Sequence, residues 1–64
     1  MKLYEYTVTT NEKAGDLHPK ILVPTTLVLA IDEIKARDIA ARAVPAEFGN
    51  KMEQVDLRVR KFLP

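Results

Sequence analysis

Nucleophilic catalysis needs a serine, cysteine or threonine held by a base and a third orienting group. This chain of 64 residues contains neither serine nor cysteine. Thr9, Thr10, Thr25 and Thr26 flank or lie inside strand-like runs, where β-branched residues suit the pleated backbone. The one histidine, His18, would need carboxylates such as Glu12 and Asp16 to complete a zinc site, and that set has no recognisable ligand spacing. Placed before Pro19 in a polar stretch, His18 reads as an exposed turn residue. Gly15 and Gly49 cannot form a phosphate-cradling loop. Asp32, Glu33 and Asp38 have local explanations as a helix cap and ion-pair partners, so they do not stand out as an acid–base pair. The expectation is a chain that is not an enzyme, with no catalytic residues, no metal and no cofactor. An enzyme whose site assembles between subunits is the weakest of three readings.

The residues best suited to function by contact lie near the C-terminus. Arg58, Arg60 and Lys61 are alternate or adjacent cations on a strand-like run, able to meet an acidic protein patch or phosphates, and Phe62 adds an aromatic anchor. An aromatic beside two arginines has the composition of a binding hot spot. The same charges would also serve simply to keep an edge strand from aggregating. Tyr4 and Tyr6 could stack on bases, as strand aromatics do in some RNA-binding sheets, but they share a face with Val8 and so point to the core.

These residues must be positioned by short elements. Lys2 to Thr9 places Tyr4, Tyr6 and Val8 on one face by the period of two and predicts a first strand. Thr10 to Pro19 is polar with turn signals at Gly15-Asp16 and His18-Pro19, which predicts a long hairpin loop, the most mobile segment expected. Lys20 to Ala30 returns as a second strand. Pro24 lacks an N–H there, which places this strand at a sheet edge and suggests a bulge. Asp32 fits an N-cap, and a helix follows to about Ala43 with Ala36, Ile39, Ala40 and Ala43 as its apolar face. Glu33 with Arg37 and Asp38 with Arg42 have the spacing of ion pairs on its outer face. Val44-Pro45 stops it, and Pro45 to Phe48 can form one further turn ended by Gly49. Gln54 to Phe62 alternates, with Val55, Leu57 and Val59 inward and Asp56, Arg58 and Arg60 outward.

The fold expected is therefore α+β: β-β-α-β, a three-stranded mixed sheet in the order 2-1-3, with one helix packed on one face of a single domain spanning residues 1–64. Ile39 and Leu57 are expected in the core. The opposite face, with Leu3, Glu5 and Thr7 flanked by Arg58 and Arg60, is expected to be uncovered and polar enough for water.

Composition fits this picture. Hydrophobic residues make up 47% and charged residues 30% of the chain, too apolar for disorder. The longest apolar run, Leu27 to Ile31, is far below the ~20 residues that cross a bilayer, and the first residues are strand-like rather than an apolar leader core. No membrane association is expected, and the location expected is intracellular or within a virion. The net charge is +1. Its excess lies in the C-terminal stretch, Lys51 to Pro64, where four basic residues face two acidic ones, a milder bias than a dedicated nucleic-acid binder shows.

The stretch VPTTLVLAIDEIKARDIAARAVPAEF followed by QVDLRVRKF resembles small uncharacterised β-β-α-β proteins of actinobacterial tailed phages, over about residues 24–62. That resemblance implies a viral accessory or minor structural protein, associated with a capsid or tail, and carries no catalytic motif. The expected function is a non-enzymatic protein-interaction module that adds its open sheet face or the edge of its third strand to a protein partner, which includes a viral assembly or self-association, bound through Arg58, Arg60, Lys61 and Phe62. The second reading is a small nucleic-acid-binding or regulatory factor using Lys51, Arg58, Arg60 and Lys61 against phosphate.

Overall fold

A computed structural model of the chain describes residues 1–15 and 18–62. Strand β1 spans Lys2–Thr10, β2 Ile21–Ala30, helix α1 Glu33–Ala43 and β3 Val55–Lys61. The three strands form one sheet in the order β2-β1-β3, and α1 covers one of its faces. Both neighbouring pairs are antiparallel, so the sheet is not mixed. The α1 crossover does make β2 and β3 run in the same direction, but β1 lies between them, and the only hydrogen-bonded neighbours are antiparallel.

Pro24 acts as its missing donor requires. Tyr6 faces Thr26 while Val8 faces Val23, so β2 carries an extra residue at Pro24-Thr25, a bulge on an edge strand. A second shift follows between Val8 and Thr9. The Pro24 carbonyl accepts from the Thr26 hydroxyl at 2.8 Å. The hairpin is closed by Thr10, which is buried: its N–H donates to the Lys20 carbonyl at 2.9 Å, and its hydroxyl accepts from the Lys20 N–H at 2.8 Å.

The first half of the hairpin loop is structured. Asn11 Oδ1 accepts from the Lys13 N–H at 2.9 Å and caps a 3-10 turn at Glu12–Ala14. Gly15 ends that turn with φ at 82°, a left-handed conformation open chiefly to glycine. Asp16 lies outside the described residues. Asn11 also ties the loop to the start of β3, donating from Nδ2 to the Glu53 carbonyl at 2.9 Å and to Asp56 Oδ1 at 3.2 Å.

Asp32 caps α1, its Oδ1 accepting from the Lys35 N–H at 2.8 Å, and the helix stops at Val44, which is extended before Pro45. Ala46–Phe48 and Met52–Gln54 form two 3-10 turns on the way to β3; the second is absent from the sequence-based expectation. Gly49 ends the first with a right-handed φ of −55°.

The core lies between α1 and the sheet. Tyr4, Tyr6 and Val8 of β1 meet Ala36 and Ala40, which follow each other by one helical turn and are fully buried, with Ala30 and Val55 at the flanks. Two alanines on the contact stripe let the helix axis approach the sheet closely. Ile39 and Leu57 are half-buried rather than buried: with the central stripe taken by alanine, they pack at its sides. Val8 is the largest side chain that is fully buried. On the outer face Asp38 pairs with Arg42 at 3.2 Å and with Lys35 at 3.9 Å. Glu33 and Arg37 do not pair with each other among the described residues.

Candidate functional site on the open sheet face

Alternation along each strand sends every second side chain away from α1, and the registers align those side chains in rows across the sheet. Leu3 stands between Leu29 on β2 and Phe62, whose N–H donates to the Leu3 carbonyl at 2.9 Å. Glu5 stands between Leu27 and Arg60. Thr7 is paired with Arg58 on one side and its hydroxyl lies 2.8 Å from that of Thr25 on the other. Thr9 stands between Ile21 and Asp56. The face therefore grades from an apolar row at one end to a polar one at the other.

This face is more apolar than the expected set of Leu3, Glu5, Thr7, Arg58 and Arg60, because β2 adds leucines to it. Leu27 is 54% and Leu29 60% exposed, and both extend the apolar end formed with half-buried Leu3 and Phe62. Leu27 to Ile31 is an unbroken apolar run, so the sequence carries no alternation that shows which side Leu27 and Leu29 take, and the bulge at Pro24 shifts the phase of β2 relative to β1 partway along.

The four expected contact residues are divided by the fold. Arg58 and Arg60 lie on the open face, and the start of Phe62 continues it beside Leu3. Lys61 is opposite Tyr4 in the register and so belongs to the helix side of the strand. Lys51 sits before the 3-10 turn that leads into β3, at the far end from Lys61. These cations do not form one stripe. Arg60 Nε bonds to Glu5 Oε1, whose side chain is only 14% exposed. Arg58 is exposed and makes no ion pair among the described residues. A hollow around the β3 edge is lined by Glu5, Thr7, Thr25, Arg58 and Arg60 on the open side and by Arg37, Leu57 and Val59 from the helix side.

The reactive side chains are placed otherwise. Thr7 and Thr25 bond to each other, Thr26 to the Pro24 carbonyl and Thr10 to Lys20, so these four hydroxyls have structural partners, and Thr9 stands on the open face between Ile21 and Asp56. His18 is exposed. Among the described residues no three metal-ligating side chains gather, and no helix is long and apolar enough to cross a membrane.

Comparison of the chain with protein-family models, with curated proteins and with solved structures finds no match.

Proposed function

We propose that this chain is a non-enzymatic protein-interaction module that seats a partner protein on its open sheet face. The observation that carries the reading is the apolar end of that face, Leu3, Leu27, Leu29 and Phe62, in a domain whose own core is short of large side chains. Burying a leucine contributes about 1.5–3 kcal/mol relative to leaving it in water, so leucines held at more than half exposure are worth most where something covers them. The matching partner surface has an apolar centre for this row and carboxylates at its rim, because Arg58 has no acid of its own and Arg60 shares a single one. The resemblance over residues 24–62 supports reading that surface as part of a phage capsid or tail, with the chain as an accessory or minor structural component in the infected cell or the virion.

The test is co-sedimentation with particles purified from the natural source. Phe62→Ala and Leu29→Thr are each expected to weaken binding by more than about 1 kcal/mol, charge reversal at Arg58 and Arg60 to weaken it further, and Lys13→Ala in the hairpin loop to leave it unchanged. Normal binding by the face variants with loss in Lys13→Ala contradicts the proposal. Nucleic-acid binding that falls steeply with salt and ignores Phe62 would replace it with a phosphate-binding function.

A further inference from the structure

The two edges of the sheet are not alike. The outer edge of β2 is broken by two register shifts and a proline, the devices by which edge strands avoid pairing with other chains. The outer edge of β3 has neither a register shift nor a proline; its protection is the charge of Asp56, Arg58, Arg60 and Lys61, which another chain can meet only in a register that pairs opposite signs. The pairing of β3 with β1 runs without a shift from Tyr4 opposite Lys61 to Thr10 opposite Val55.

The hydrogen-bond pattern shows which groups that edge offers. Phe62 donates to the Leu3 carbonyl and Gln54 accepts from the Asn11 N–H, both in the register of the β1–β3 pair. In an antiparallel ladder every second residue bonds to a given neighbour, so Asp56, Arg58 and Arg60 bond to β1. Leu57, Val59 and Lys61 then direct their N–H and C=O groups outward. None of these outward groups takes part in the turn, loop or cap bonds of the described chain. At Val55 only the carbonyl is free, because its N–H bonds to Met52.

We infer that β3 pairs antiparallel with β3 of a second copy of this chain, about a two-fold axis at Leu57, to give a continuous six-stranded sheet. Charge decides the register. With the axis at Leu57, Asp56 of each copy faces Arg58 of the other at the close, non-hydrogen-bonded positions, and Val55 faces Val59 beside the paired leucines. Moving the axis to Asp56 or Arg58 sets that residue against its own copy, and moving it to Val59 sets Arg58 against Arg60. Only the Leu57 register matches opposite charges and avoids like ones, and like charges directly opposite destabilise a ladder. The ladder comprises mutual N–H to C=O bonds between the two Leu57 residues and a bond from each Val59 N–H to the Val55 carbonyl of the other copy. It stops at Val55, where the N–H is already used. Arg37 reaches from α1 toward this edge and lines the hollow beside Leu57 and Val59; it is exposed and makes no ion pair among the described residues, so it is free to swing into solvent.

The inference goes beyond the partner-binding function and does not rest on it. Pairing uses the edge of β3 and leaves the Leu29–Leu3–Phe62 row open; Arg58 alone is common to both. Self-pairing of one strand buries a small area, so sedimentation velocity of the purified chain should show a monomer–dimer equilibrium between about 10 μM and about 1 mM. Asp56→Lys and Arg58→Glu, each checked for folding by circular dichroism, turn two attractions into two repulsions and should each weaken the dimer by at least about tenfold. An equimolar mixture of the two variants restores both attractions, and a heterodimer should form. In the unmodified protein, amide exchange at Leu57 and Val59 should slow as concentration rises while exchange at Leu27 and Leu29 stays constant. A wild type that remains monomeric, single variants that dimerise normally, a mixture that does not associate, or Leu57 and Val59 amides indifferent to concentration would each overturn the proposal. Loss of particle binding in Phe62→Ala with the dimer intact separates the two functions.

Discussion

The two faces of this sheet are built from the same three strands, yet they are finished differently. On the covered face Tyr4, Tyr6 and Val8 are closed over by a helix whose contact stripe is alanine, so the centre is small or planar, the helix sits close, and larger aliphatics such as Leu22, Ile39 and Leu57 pack only at the sides. On the open face Ile21, Leu27 and Leu29 of β2 are each more than half exposed. A domain of this size needs all the apolar burial it can obtain, and placing Leu27 and Leu29 on the inner face would have served stability better. The inner face carries the fold, while the outer face leaves Leu27 and Leu29 exposed, the surface on which the proposed partner would sit. The polar half of the outer face makes the same point. Glu5 is held by Arg60, and Thr7 by Thr25, so these polar groups are arranged within the chain, while Leu27, Leu29 and Arg58 stand exposed.

This contrast is open to breaking by substitution. The largest effect is expected at Tyr6, where alanine removes a buried aromatic ring from beneath α1 and should cost about 3–5 kcal/mol. A single core in a chain this small rarely supplies more than about that amount. Tyr6→Ala should therefore be unfolded at room temperature by circular dichroism, and a cooperative melt in that variant would show that the inner face matters less than described. Next comes Ala40→Leu, which adds bulk where the helix touches the sheet. Overpacking of this kind costs about 1–3 kcal/mol, to be read from the urea midpoint. An unchanged midpoint would mean that α1 rides higher on the sheet than its buried alanines indicate. The smallest effect is expected on the other face, where Leu29→Thr should shift stability by no more than about 0.5 kcal/mol while weakening partner binding. A large loss of stability from that substitution would erase the distinction between the faces.

Much of the architecture was legible from residue types. Asp32 as a cap, Val44-Pro45 as a stop and Pro24 as the mark of an edge each follow from a local backbone constraint, and the 2-1-3 order follows once β2 is confined to an edge. What escaped was set by relations between distant segments. The sheet read as mixed because the direction of β3 follows from the crossover, whereas its neighbour follows from which edge of β1 remains free. The pair Glu33–Arg37 has correct spacing but competes with solvent, while Asp38 lies within reach of both Lys35 and Arg42. Of the contact residues, Arg58 and Arg60 could be assigned to the outer face by alternation alone. Lys61 adjoins them in sequence, but the period of two sends it to the other side. The apolar end of the open face was missed because its β2 half lies beyond a bulge whose extra residue has no sequence signature other than Pro24. The clasp of Asn11 on Glu53 and Asp56 joins residues more than forty positions apart and had no local signal.

The most direct test of the open face as the working surface is photo-crosslinking in the natural source, with a benzophenone side chain placed at position 29 or at position 34. Leu29 lies on the open face, whereas Ile34 is the more exposed residue, at 80%, on the outer side of α1. Exposure alone would favour Ile34. The account predicts a discrete crosslinked species from position 29, heavier than two copies of this 7.2 kDa chain and identified by mass spectrometry, and none from position 34. A discrete partner captured from position 34, with position 29 silent, would contradict it.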